Sequence, residues 1–562
     1  MQISQALISR GMVSEQDFMD AQSKGGDVIA TLVSTGVVEH QAAMDVLADE
    51  AGVEYIDLTK VEVDLSLLGL FPQKIIYRHI LFPVSRTEDS LTVATADPMD
   101  YYPLDEISSA TGLAIVPVLA DRSEIAKLIK THLGVGGETI EGLIEQKMDA
   151  GGIELLEAIE TDGSELSEMA QEASVVRLVN EILIEAVETG TSDVHIESQQ
   201  DGIVIRYRID GILHTQPVPQ EINHFRAAII SRLKIMAKLN IAEKRLPQDG
   251  RIKIRVKGRE VDVRVSVIPM IHGEGLVMRI LDKGKMKFEL KSLGMSESTY
   301  DVFSKLIKLP HGIILVTGPT GSGKTTTLYS SLIEINDPTT KIITTEDPVE
   351  YQLPGINQIQ VHPKIGLTFS HSLRSILRHD PDVVLVGEIR DLETAENAIQ
   401  ASLTGHLVFS TLHTNDAAGA FTRMGDMGVE PFLVASTVEA IMAQRLVRRL
   451  CPDCCAPVPQ DQLDLPEDFP HKQFKGQTIY GAVGCRQCRN VGYRGRLGIY
   501  ELLVTTDELR QLAQEGKSTW EIKKAAIASG MKTLRDDGWN KVLEGKTSVD
   551  EVLRLTKGDR QK

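Results

Sequence analysis

Aromatic residues are sparse, at 4% of 562 positions, while the apolar and charged fractions are those of ordinary soluble globular protein. No run approaches the roughly 20 consecutive apolar residues of a membrane span, so no spanning helix is expected. The opening Met1-Gln2-Ile3-Ser4-Gln5 has no basic region followed by an apolar core. No secretory signal is therefore expected, and the expected location is cytoplasmic. Positive charge is in deficit. Lys and Arg number 60 against 79 Asp and Glu, a net charge of −19, which argues against nonspecific binding of nucleic acid or anionic lipid by the whole surface. A local basic patch remains compatible with that balance. Only five cysteines occur, all between Cys451 and Cys488, and the clustering points to metal rather than disulfides.

The length is too great for one core, and about three to five domains are expected. Residues 1–52 carry a weak internal repeat. Leu7-Ile8-Ser9-Arg10-Gly11-Met12-Val13 resembles Leu32-Val33-Ser34-Thr35-Gly36-Val37-Val38, each a short helix stopped at glycine and followed by a second helix. Residues 53–133 are expected to form a small α+β domain of βαββα type, with strands at 91–96 and 113–118 and helices at 104–110 and 122–133. Residues 134–173 are rich in Gly, Asp and Glu, with Lys147 the only base, and read as a flexible acidic linker with a short helix near 153–159.

Residues 174–285 open with an amphipathic helix. They continue through Ser192-Asp193-Val194-His195-Ile196-Glu197 into alternating strands dense in Arg245, Arg251, Arg255, Arg259, Arg264 and Arg279. The alternation leaves two readings, a solvated sheet face or an anion-facing one. From 286 to 450 apolar strands alternate with helical segments, the pattern of an α/β fold with a mostly parallel sheet. The cysteine region fills 451–500, and 501–562 read as largely helical.

Four constellations in the second half carry chemistry, and a fifth carries metal. Gly318-Pro319-Thr320-Gly321-Ser322-Gly323-Lys324-Thr325 lies between an apolar strand and a helix that continues through Thr326. It fits G-x-x-x-x-G-K-[ST], whose glycines let backbone N–H groups approach phosphate. Lys324 is expected at the β- and γ-phosphates of ATP and Thr325 at Mg²⁺. Glu346-Asp347-Pro348-Val349-Glu350 follows a second apolar strand, where a carboxylate can polarise an attacking water. Val383-Val384-Leu385-Val386-Gly387-Glu388 is a Walker B-type strand with Glu388 at its tip, expected to hold Mg²⁺ directly or through water. His406 and His413 bracket a further strand; His413 suits a γ-phosphate sensor, and either ring could instead be structural. Finally, Cys451, Cys454, Cys485 and Cys488 have the C-x₂-C…C-x₂-C spacing of a closed, structural Zn²⁺ site, with Cys455 an alternative to Cys454.

With Leu246-Pro247-Gln248-Asp249-Gly250-Arg251, these motifs in this order resemble the secretion-superfamily ATPases of type II secretion and type IV pilus assembly. The resemblance runs from about residue 53 to the end. It implies a RecA-like α/β core, a preceding PAS-like α+β domain, small N-terminal α and α+β domains, and a C-terminal zinc-bound helical region. It places the water-activating carboxylate at Glu350 and brings Arg264 and Arg279 to the phosphates. It implies a homohexamer that binds ATP between two domains and engages an inner-membrane platform protein and the cytoplasmic domain of a membrane-anchoring protein. The location implied is peripheral, at the inner membrane, through those partners; nucleic acid is not among them.

Retraction ATPases of the superfamily lack both the long N-terminal region and the four-cysteine insertion, so the resemblance favours assembly. Met427–Leu433, Gln444–Arg448 and Leu534–Gly538 look more like the type II secretion ATPase, with a pilus extension ATPase as the alternative. The N-terminal repeat resembles a tandem domain that binds cyclic di-GMP. The triplets corresponding to its Arg-Leu-Gly are Gln2-Ile3-Ser4 and Asp27-Val28-Ile29, which lack arginine and glycine, so no cyclic di-GMP binding is expected.

Overall fold

The computed structural model describes residues 6–23, 31–33, 35–61, 63–71, 75–76, 79–133, 153–155, 172–218, 220–282, 284, 288–459, 463, 465–471, 474 and 477–556. Both triplets, and residues 134–152 and 156–171 of the expected linker, lie outside them. The chain divides into two compact units, 1–284 and 285–562. Among the described residues no helix is long and apolar enough to cross a membrane.

The first unit begins with helices at Ala6–Ser9, Glu15–Ser23 and His40–Ala51. Their core pairs Leu7 with Leu32, Val13 with Val38, Phe18 with Ala43 and Ala21 with Val46. Each pair is separated by the same interval of sequence, so the repeat is a repeat of buried positions. Gly11 and Gly36 take left-handed φ values of 73° and 74° at equivalent turns.

β1 (Phe82–Arg86), β2 (Ser90–Thr95) and β3 (Ala114–Leu119) follow, with helices Tyr101–Thr111 and Arg122–Leu133. The order is therefore ββαβα, not the βαββα expected. The unforeseen β1 contains Pro83, tolerated because β1 is an edge strand whose register shifts between Pro83 and Ser85. Residues expected to start a short helix near 153 instead form β4 (Ile153–Leu155), which adds antiparallel to β8 (Gln248–Val256). Edge pairing overrides the helix propensity of that stretch.

The larger sheet of this unit is completed by β5 (Asp193–Gln199), β6 (Gly202–Ile209), β7 (Ile212–Gln216), β9 (Arg259–Met270) and β10 (Gly273–Asp282), in the order β4-β8-β9-β10-β5-β6-β7. One face, with Val194, Ile205, Ile254, Val263 and Met278, packs on helices Ala173–Glu188 and Arg226–Met236. The strict alternation leaves the opposite face polar.

The second unit is built on a seven-stranded sheet. Its strands are β11 (Gly312–Thr317), β12 (Ile342–Glu346), β13 (Asn357–Gln360), β14 (Val383–Val386), β15 (Leu407–Leu412), β16 (Val438–Leu450) and, after the two-residue strands β17 (Ala456–Pro457) and β18 (Tyr480–Gly481), β19 (Tyr493–Val504). The order is β13-β12-β14-β15-β11-β16-β19, parallel throughout except for β16 with β19. One face packs on helices Glu297–Leu306 and Lys324–Ile335, the other on helices that include Phe369–Ile376, Leu392–Leu403, Gly419–Asp426 and Pro431–Thr437. Burial on both faces is what makes β14 and most of β11 continuous apolar runs, and leaves every residue of β15 buried, Ser410 and Thr411 included. The last four helices each start at a capping hydroxyl, Thr506, Ser518, Thr533 and Ser548.

Candidate nucleotide site and metal centre

Parallel pairing sets the C-terminal ends of β11, β12, β14 and β15 along one edge of the sheet. Thr317 pairs with Leu412, Val386 with Ser410, and Thr345 with Val386. Gly318 and His413 follow directly from β11 and β15, Glu346 ends β12, and Glu388 lies two residues beyond β14. Ligands of open α/β sheets bind at this edge.

In the phosphate loop, Gly318, Gly321 and Gly323 have φ values of 147°, 78° and 91°. A side chain at Gly318 would lie 2.5 Å from the Gln444 carbonyl oxygen, and one at Gly323 would lie 2.7 Å from Gln444 Nε2. Gly318 is therefore required by close packing against the β16 backbone as well as by its conformation, and Gly323 by its left-handed φ. Lys324 donates to the carbonyls of Gly318 and Pro319 at 2.8 and 3.1 Å. Burial holds its amine below the usual lysine range, while the nearby charge of Glu388 acts in the opposite direction. Thr325 and Thr326 occupy the first turn of the helix Lys324–Ile335. The Thr317 hydroxyl accepts from Thr414 N–H at 2.9 Å, tying the base of the loop to the segment after His413.

The two glutamates of the acidic box differ. Glu346 is buried and accepts from the Tyr329 hydroxyl, from Thr344 Oγ1 at 2.5 Å and from Gln358 Nε2 at 3.1 Å. Burial, with the Glu346 charge beside it, raises the Tyr329 phenol. Glu350 is half-buried, and its backbone N–H meets the Tyr329 hydroxyl at 3.3 Å. Glu346 is thus locked into the framework, and Glu350 is the carboxylate left nearer solvent.

Glu388 accepts from Arg390, and His413 Nε2 stands 3.4 Å from its other oxygen. Burial pushes the Glu388 carboxyl upward, but Arg390 and His413 outweigh it and the group lies below the usual carboxylate range. His406, by contrast, places Nδ1 2.9 Å from the Ala401 carbonyl, at the end of helix Leu392–Leu403. The two histidines therefore separate: His413 meets a site carboxylate, and His406 caps a helix.

In the first unit, Arg264 lies directly opposite Arg279 on β10 and Arg251 on β8. Arg279 is half exposed and donates Nε–H to Asp193 at 2.9 Å.

The four cysteines converge. Sγ separations are 3.9 Å for Cys451 and Cys485, and 3.7 Å both for Cys454 and Cys488 and for Cys485 and Cys488. Four thiolates about 2.3 Å from a tetrahedral zinc would stand about 3.8 Å apart, so the set fits that ion. Cys488 Sγ also accepts N–H groups from Cys485 and Gly492 at 3.1 and 3.2 Å, the donors a thiolate needs. Among the described residues Cys454 belongs to the cluster and Cys455 does not.

Residues 168–554 match the family described as Type II/IV secretion system protein, and residues 51–139 match the MshEN domain. The chain belongs to the type II/IV secretion system family. This secretion ATPase is 42% identical over 565 residues to the type IV pilus assembly ATPase PilB of Myxococcus xanthus, covering 99% of each chain. It is 44% identical over 567 residues to the type II secretion system protein E of Xanthomonas campestris, covering 99% of this chain and 98% of the relative. To the type II secretion system ATPase E of Vibrio cholerae it is 51% identical over 393 residues, covering 70% and 77%.

Sequence reasoning did not assign roles to Gln444, Tyr329 or Arg390 in the secretion ATPase. Gln444 sits on a strand of helix-favouring Ala, Met, Gln, Leu and Arg, so only tertiary pairing identifies it. Tyr329 lies one helical turn beyond Thr325, a spacing that places it beneath the loop.

Proposed function

We propose that the chain is a hexameric motor ATPase that couples ATP hydrolysis to pseudopilus assembly and protein export by a type II secretion system. The observation that carries the catalytic part is the meeting of Lys324, Glu388 and His413 at one sheet edge, with Glu350 beyond a neighbouring strand. Backbone N–H groups from Gly318 to Thr325, with Thr326, bind the phosphates, and Lys324 neutralises their charge. Thr325 and Glu388 hold Mg²⁺, which when bound supplies further charge neutralisation. Glu350 takes the proton of the attacking water, and His413 reports on the γ-phosphate through Glu388. Arg264 and Arg279 are further candidate phosphate ligands, assigned by the resemblance of their motifs. Of the domain limits read from the sequence, that of the linker 134–173 is amended by β4, which joins the following sheet, and that at 500/501 by β19, which crosses it and joins the core sheet.

Cys451, Cys454, Cys485 and Cys488 hold a structural Zn²⁺; four ligands leave no open position for substrate. The partners are an inner-membrane platform protein and the cytoplasmic domain of a membrane-anchoring protein, which place the enzyme at the inner membrane. Residues 1–52 serve docking and not cyclic di-GMP recognition; a micromolar affinity in calorimetry would overturn that. The full-length match to PilB supports a second reading, pilus extension.

Complementation of a deletion strain with wild type, Lys324→Ala or Glu350→Gln tests the proposal. Wild type should restore export, and the variants should not. Restored pili with unrestored export would favour the second reading, and export restored by Lys324→Ala would sink the motor itself.

A further inference from the structure

Tyr329 takes part in no step of the proposed reaction, yet it is among the largest fully buried side chains of the described residues. It lies on the helix Lys324–Ile335, five residues beyond Lys324, so it shares one rigid element with the end of the phosphate loop. Its ring meets Phe288 edge-on with centroids 5.5 Å apart and Tyr351 edge-on at 6.5 Å, and those two rings meet each other at 5.5 Å. Three rings packed this way confine the phenol oxygen to a narrow position.

Several groups converge on that oxygen. Its proton goes to Glu346, because a carboxylate can only accept. Burial and the Glu346 charge hold the phenol above its ordinary range, so it keeps that proton. With the one O–H committed, the oxygen can only accept from its other neighbours. It accepts Glu350 N–H at 3.3 Å and a further bond from the Tyr351 backbone. The same segment is tied a second time through Gln358. Its Nε2 donates to Glu346 at 3.1 Å and to the Tyr351 carbonyl at 3.0 Å, and its Oε1 accepts Leu353 N–H at 2.8 Å. Gln358 thus secures the flank of the acidic box, and Tyr329 alone ties the backbone of Glu350 to the helix of the phosphate loop among the bonds described.

We infer that Tyr329 is a positioning residue for ATP hydrolysis: its hydroxyl anchors the backbone of Glu350 to the helix that begins at Lys324, and so fixes the place from which the Glu350 carboxylate meets the attacking water. The inference rests on the proposed role of Glu350. It adds that the phosphate loop and the water-activating carboxylate are held in register by one phenol. Tyr329 gains and loses no proton in the reaction; it acts through geometry.

The test uses the full chain and measures ATP turnover and ADP binding for Tyr329→Phe, Glu350→Gln and the double variant. Tyr329→Phe keeps the ring and its packing and removes only the hydroxyl. It should lower kcat about tenfold at saturating ATP, with ADP affinity unchanged. The double variant should be no slower than Glu350→Gln alone, because both changes act through one carboxylate. A hydroxyl that merely supports the fold would slow both backgrounds by the same factor. That result, or wild-type kcat in Tyr329→Phe, would overturn the inference. If Glu350→Gln itself keeps full kcat, the assignment of the water-activating carboxylate fails, and this inference with it. Should Tyr329→Phe not fold, Phe288→Leu loosens the ring packed against Tyr329 and should lower kcat about twofold, in the wild-type background alone; no change, or an equal loss in both backgrounds, would overturn it.

Discussion

The Thr327 hydroxyl donates to the Gln444 side-chain carbonyl across 2.7 Å, inside a fully buried contact. This bond joins the helix behind the phosphate loop to β16. Replacing Gln444 with Leu keeps the bulk and removes the acceptor, so the buried Thr327 hydroxyl loses this bond. A loss of about 1–3 kcal/mol is expected in urea unfolding, with weaker nucleotide binding. Stability equal to wild type would show that the contact is dispensable.

Glu346 and Glu350 should separate cleanly under mutation. Glu346→Ala strands the Tyr329, Thr344 and Gln358 donors and should destabilise the core by about 2–4 kcal/mol. Glu350→Gln should leave unfolding unchanged and reduce turnover on the order of 100-fold. Paired unfolding and ATPase measurements check both, and a folded, inactive Glu346→Ala would reverse the assignment.

Stability should depend on pH through Glu501. This carboxyl is buried on β19, accepts N–H groups from Ala417 and Leu534, and is raised by burial from 4.5 to about 7, with Lys523 opposing the rise. Between those values the folded chain keeps a proton that the unfolded chain has released. Stability therefore falls as pH rises through the window, by about 3 kcal/mol in all, and levels off above 7. Glu501→Gln should remove this slope. Denaturation midpoints at pH 5 and pH 8 measure it; a parallel slope in the variant would exclude Glu501 as the cause.

Zinc analysis of purified protein should find about one ion per chain. Cys485→Ser should lose the metal and increase proteolysis within 451–500, whereas Cys455→Ser should bind zinc like wild type. Equal zinc content in wild type and Cys485→Ser would count against the centre.

Much of the site was legible because each motif carries its own chemistry and follows an apolar strand. Gly318–Thr325, Glu346–Glu350 and Glu388 are visible for that reason. What stayed hidden depends on pairing at a distance. The helix-favouring composition of 438–450 conceals β16 and with it Gln444. Pro83 conceals β1, and Ile153–Leu155 is a strand only because β8 offers an edge. Arg264 and Arg279 stand out in the sequence, but their alignment with Arg251, Asp193 and Arg208 emerges only from the register of five strands.

β16 pairs with β11 only as far as Ala443, yet it continues beside β19 to Leu450, next to Cys451. The hairpin thus overhangs the sheet by seven residues, about 23 Å of strand at roughly 3.3 Å per residue. One end is Gln444, in contact with the phosphate loop, and the other adjoins the cysteine cluster. This stretch is anchored along its length, Arg448 donating to Glu551 and Leu450 N–H to the Lys546 carbonyl, so it ties the contact at the phosphate loop to the C-terminal helices and to the cysteine cluster.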